Sequence, residues 1–196
     1  MFVQVIRARA EDPGGVEAAM ERWRTDLRPG AEGFLGSTGG VTPDGEFIGL
    51  ARFESEAAAR RNSDRPEQGE WWDELESNLE GPATFEESSD VDLLLDGGSD
   101  DAGFVQVIVG RVGDRDAARQ AMSELTVPLR RERPDIIGGY MVWRDDRFTE
   151  VVYFRSEEAA RRGEAAMRAS ELPQRLVRAR ITMDEFLDLP RPITTR

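Results

Sequence analysis

The sequence predicts an α+β fold built from two copies of one β-α-β-β-α-β unit, and three observations predict it. The strand FVQVI is written twice, at 2–6 and at 104–108, which is 102 residues on. FESEAAARR at 53–61 recurs as FRSEEAARR at 154–162, now 101 residues on, so the second copy has lost one residue in between. Between those markers, Val16, Ala19, Met20, Trp23 and Leu27 fall at i, i+3, i+4, i+7 and i+11. Ala118, Ala121, Met122, Leu125 and Leu129 repeat that helical spacing.

Taken in order, strands are expected at 2–9, 33–42, 46–53 and 83–94, with helices at 13–27 and 55–62. Asp12 and Asp114 stand where an N-cap accepts the first free helical N–H, and Ser55 and Ser156 do so for the second helix of each copy. Pro43-Asp44-Gly45 turns the middle strands into a hairpin, and Arg144-Asp145-Asp146 does the same in the second copy. Trp71, Leu75 and Leu79, at i, i+4 and i+8, make one face of a further helix in the first copy. Pro66 to Phe85 spans 19 positions, whereas Pro173 to Ile181 spans 8, so that helix is expected only in the first copy, and with it a single pocket. The repeats are bounded as 1–95 and 104–190, with the polar linker DGGSDDAG at 96–103 and a tail at 191–196.

Composition removes whole classes of chemistry. The chain of 196 residues has no Cys and no His, and every basic residue is Arg. Disulfides, thiolate nucleophiles, Cys–His zinc sites, Ser–His–Asp triads and lysine Schiff bases are therefore excluded. Haem lacks its usual imidazole or thiolate ligand. The net charge of −13 falls entirely on the first half, the second being neutral, and it disfavours nucleic acid and anionic membrane as partners. No apolar run reaches the roughly 20 residues of a membrane span. The N-terminal stretch has no signal-peptide pattern, and a cytoplasmic location is expected.

The β-α-β-β-α-β order is the ferredoxin-like arrangement, whose sheet carries helices on one face and needs cover on the other. Two such sheets can cover each other, which predicts one intramolecular α/β barrel. On the duplicated FVQVI strands, GFLGST at 33–38 and the two SE-x-AARR segments, the chain resembles the dimeric α/β-barrel superfamily. Within it, the chain is similar to the antibiotic-biosynthesis-monooxygenase-like branch, fused in tandem. The resemblance implies a small hydrophobic or aromatic ligand, cofactor-free oxygenase or cyclase-like chemistry, and a monomeric pseudo-dimer or a homodimer of it. Haem chemistry is not implied, because the haem branches hold iron by His. A non-catalytic barrel that binds a small molecule or a partner protein is the alternative.

The resemblance directs attention to RRNSDRPEQGEWW at 60–72, where relatives carry an Asn, a His near a Pro, and a Trp. Here Asn62, Trp71 and Trp72 are present, and Gln68 replaces the His, which removes a general base but keeps a hydrogen-bonding group. In FVQVI, alternation places Gln4 and Gln106 opposite an all-valine face. If the valines meet the helices, both glutamines point into the barrel, to bind a ligand or to bond across to the other sheet. Tyr140, Glu150 and Tyr153 are polar enough to line a pocket. Glu150 shares a strand face with Phe148 and Val152, so it is either an inward carboxyl with a raised pKa or the partner of a rim Arg.

Overall fold

The computed structural model describes residues 1–95, 97–168 and 180–196. Asp96, the first residue of the expected linker, and Pro173 lie outside the described residues. The chain forms two compact units, Met1–Val91 with Arg191–Arg196, and Asp92–Pro190.

In the first unit the chain runs β1 (Phe2–Arg9), α1 (Pro13–Arg22), β2 (Phe34–Val41), β3 (Glu46–Phe53), α2 (Glu56–Ser63), α3 (Pro66–Glu76) and β4 (Thr84–Ser88). β5 (Val91–Leu94) follows, and belongs to the second unit's sheet. The Asp12 carboxylate accepts from the Gly14 N–H, and Pro13 presets the first helical φ. The helix expected over 13–27 is not uniform: α1 ends at Arg22, and Trp23–Leu27 form a π-helical turn before a short 3-10 turn, Arg28–Gly30. An antiparallel sheet in the order β10-β2-β3-β1-β4 carries the unit, with β10 (Ile193–Thr195) returning from the C-terminal segment to pair with β2.

The second unit repeats the plan with β6 (Phe104–Val112), α4 (Arg115–Glu132), β7 (Ile136–Arg144), β8 (Arg147–Phe154), α5 (Glu157–Arg168) and β9 (Ile181–Leu189). Its sheet order is β5-β7-β8-β6-β9. The strand expected over 83–94 is thus two strands in two different sheets. Between them the Ser88 hydroxyl accepts from the Asp90 N–H at 3.0 Å, a local bond that competes with the ladder and turns the chain. Asp92 then fastens β5 to its new sheet, accepting from the Trp143 indole at 2.7 Å and pairing with Arg119 at 2.8 Å.

The helices meet the phenylalanine–glutamine face of each FVQVI strand, not the valine face as expected. Ile6 and Ala8 pack with Val16, Ala19 and Trp23, and Phe2 packs with Ala58 and Ala59. In the second unit Phe104, Ile108 and Val112 pack with Ala118 and Ala160. Where rings stand on the sheet the reason is steric: Phe2 meets Ala58 and Ala59, and Phe104 meets Ala160, short side chains that leave room for them. Val3, Val5, Val105 and Val107 are buried as well, so alternation marks both faces as apolar and cannot rank them.

Candidate functional site

The first unit holds a cavity of about 340 Å³ lined by β1, α1, α2 and α3 side chains, among them Gln4, Trp23, Asn62, Gln68, Trp71 and Trp72. Its polar centre is an ordered chain of amides. The Arg65 guanidinium donates to the Asn62 oxygen at 2.9 Å and also reaches the Leu27 carbonyl at 3.1 Å. The Asn62 NH2 group donates to the Gln68 oxygen at 3.2 Å, and the Trp23 indole donates to the same oxygen at 2.8 Å. Indole N–H and guanidinium can only donate, so both amide orientations are fixed, and the Gln68 NH2 group is left as the donor available to a ligand.

The π-helical turn begins at Trp23, so the irregularity in the helix lies at the residue that orients Gln68. Trp71 is buried and donates to the Ala19 carbonyl at 2.7 Å, which makes it part of the core. Half-buried Trp72 lies against Phe85, with ring centroids 5.1 Å apart, and Phe85 is 49% exposed. Among the described residues lining this cavity, none carries an acid or a base.

The glutamines of the two FVQVI strands each bond to carboxylates of their own unit. Gln4 donates to Glu87 on the neighbouring strand at 2.8 Å, and Arg60 donates to the same carboxylate at 2.5 and 2.8 Å. That guanidinium, with Gln4 adding a second donor, holds the Glu87 carboxyl below the usual carboxylate range. Gln106 donates to Asp188 at 2.9 Å and to Glu164 at 3.3 Å, and Arg161 bonds Asp188 in turn. Arg60 lies over the Phe2 ring and Arg161 over the Phe104 ring, at 5.9 and 5.1 Å. Sequence reasoning missed this Gln–carboxylate–Arg set, although Arg60/Arg161, Glu87/Asp188 and Phe85/Phe186 all recur at the spacing of 101.

A second cavity, of about 520 Å³, occupies the second unit, which corrects the expectation of a single pocket in the first. Its described lining comes from β5, the sheet β6–β9, and α4 and α5, most of it shared repeat, so it does not depend on a tryptophan-bearing helix. Glu150 stands on its sheet, opposite Ile108 and Met141 in register, and is 8% exposed. Burial pushes its pKa up to about 7. Tyr140 packs against Tyr153, ring centroids 6.3 Å apart, and is not among the described residues lining either cavity.

Two β-α-β-β-α-β repeats in one chain, with two antiparallel five-stranded sheets, define a tandem ferredoxin-like protein of the antibiotic-biosynthesis-monooxygenase-like fold. The structure is similar to a Fusobacterium nucleatum protein provisionally named a monooxygenase, at a TM-score of 0.75 and 10% identity over 95% of this chain and 89% of that one. A Lactobacillus acidophilus protein, also provisionally named a monooxygenase, matches at 0.73 and 11% identity over 100% of this chain and 99% of that one. An anthrone oxidase-like protein matches at 0.58 and 9% identity over 98% and 92%. At these identities the likeness is one of fold. No protein-family model matches the chain, and no curated protein does.

Proposed function

We propose that the first unit binds a small, flat aromatic molecule bearing a carbonyl or quinone oxygen, as a cofactor-independent oxygenase or cyclase-like protein would. The observation that carries this reading is the Gln68 amide, fixed by two donors so that its own NH2 group is offered inside an aromatic-lined cavity. Trp72 and Phe85 supply ring faces, and the amide supplies an oriented donor for the ligand oxygen. In oxygenation, an electron-rich substrate would itself supply electrons to dioxygen, and these side chains would hold it and stabilise charge on its oxygen. The absence of an acid or base among the described lining residues supports a second reading, a carrier that binds the same class of molecule without turnover.

Native mass spectrometry and fluorescence titration with naphthoquinone test the binding. The chain has no Cys, Lys or His side chain to add to the quinone, and denaturing mass spectra separate any adduct at the α-amino group from non-covalent uptake. Gln68→Leu removes one hydrogen bond and is expected to weaken binding by about tenfold, and Trp72→Ala by at least as much. No uptake, or uptake indifferent to both substitutions, would sink the reading. Oxygen consumption with hydroquinone-type ligands that bind then separates enzyme from carrier.

A further inference from the structure

The second cavity contains a group that the fold does not need. Glu150 is more than nine-tenths buried, and among the described residues it has no hydrogen-bond or ion-pair partner. The charged side chains around the cavity are already engaged elsewhere. Arg161 bonds Asp188, Glu157 and Glu164, and Arg133 chelates Asp135 at 2.7 Å. Arg119 is paired with Asp92, and both it and Arg115 lie over the Trp143 ring. Facing Glu150 from the adjacent strands are Ile108 and Met141, with Phe148 and Val152 on its own strand.

A buried carboxyl without a partner costs stability, and the first repeat shows that the position tolerates its absence. The equivalent residue there is Gly49, in the same register between β1 and β2 and also lining its cavity. A folding requirement therefore does not account for the glutamate.

We propose that the second cavity is a proton-transfer site, in which the Glu150 carboxylate takes a proton from an apolar aromatic carbon acid such as a ketone with a benzylic α-methylene. Trp143, Phe148, Phe154 and Phe186 give the cavity its affinity for such a molecule. In the step, a carboxylate oxygen forms O–H as the substrate C–H breaks, and the electron pair passes into the carbonyl to give an enolate. Return of the proton to carbon completes an exchange or isomerisation with no oxidant consumed. Burial supports this by raising the carboxyl to about 7, where base form and base strength coexist at neutral pH.

The test is hydrogen–deuterium exchange at the activated methylene of β-tetralone in D2O, followed by NMR with the full chain. Wild-type protein is expected to accelerate exchange over buffer, with the rate rising through about pH 7 and then levelling. Glu150→Gln should lower the protein-catalysed rate by about 100-fold or more while β-tetralone still binds. Glu150→Gly, which copies the first repeat, serves as a second variant with the same expectation. Failure of the wild type to bind β-tetralone, binding without accelerated exchange, or acceleration that survives in both variants would each overturn the proposal. The first unit's ligand reading is tested separately: naphthoquinone uptake is expected to respond to Gln68→Leu and Trp72→Ala and not to Glu150→Gln.

Discussion

Replacing Glu150 by Gln should make the protein more stable at alkaline pH, by an amount that grows with pH in a defined window. Glu150 has a folded-state pKa of about 7, caused by burial, against 4.5 in the unfolded chain. Below 4.5 both states hold the proton, and the carboxyl makes stability no more pH-dependent. Between 4.5 and 7 the folded state holds a proton that the unfolded state releases, so unfolding is favoured by about 1.4 kcal/mol for each pH unit. Above 7 both states are ionised and the loss is complete, at roughly 3 kcal/mol. Gln keeps the volume and cannot ionise, so the mutant-minus-wild-type difference should be flat near pH 4, climb through pH 5–7 and level by pH 8. Urea unfolding followed by far-UV circular dichroism at each pH measures it, and groups common to both proteins cancel in the difference. A difference that stays flat from pH 4 to pH 8.5 would show that Glu150 is solvated or paired, and would remove the physical basis for its proposed chemistry.

Other side chains give predictions of known sign. Trp71→Phe keeps most of the ring but removes the indole bond to the Ala19 carbonyl, which still accepts from the Trp23 backbone N–H, and should cost about 1 kcal/mol in urea unfolding. Arg60→Gln removes the main cause of the lowered Glu87 pKa, so carboxyl NMR should show Glu87 titrating at higher pH than in wild type. The sign in stability follows: a depressed carboxylate stabilises above its unfolded value of 4.5 and loses that contribution as pH falls through its folded value. The wild-type advantage over Arg60→Gln should therefore shrink in acid.

Much of the fold was legible because it is encoded twice. A strand or helix argued from one copy, such as 2–9 or the run from Val16, was checked by the other at a spacing of 102 or 101. What was not legible depended on comparisons that pattern alone does not make. Valine and phenylalanine are both apolar, so the face of FVQVI that meets the helices was decided by alanines on distant helices. The break at Ser88–Asp90 includes a side-chain-to-backbone bond inside a stretch of good strand residues, which pattern does not show. The π-helical turn at Trp23 leaves the helical spacing of apolar residues intact and alters only the local winding. In the candidate site, the family resemblance pointed to Asn62, Gln68 and Trp72, but the donor that fixes Gln68 is Trp23, which is 45 residues away and has the spacing of an ordinary core residue.

The duplication also separates scaffold from chemistry within a single chain. Residues kept in kind at the repeat spacing, Phe2/Phe104, Gln4/Gln106, Arg60/Arg161 and Glu87/Asp188, build the same network in both units. Residues that differ do so reciprocally. Asn62 of the first unit corresponds to Gly163 in the second, and Gly49 of the first corresponds to Glu150. Space above Gly163 is taken by Arg133, whose guanidinium would lie 2.3 Å from an added Cβ and is held by Asp135. An amide at that position is thus sterically blocked in the second unit, while the glycine on the first unit's sheet removes the carboxyl there. One cavity is left with oriented hydrogen-bond donors and no titratable group among its described lining residues, and the other with a lone buried acid. On the two proposals above, such a division assigns binding by directed hydrogen bonds to one half and proton transfer to the other, from two copies of the same fold.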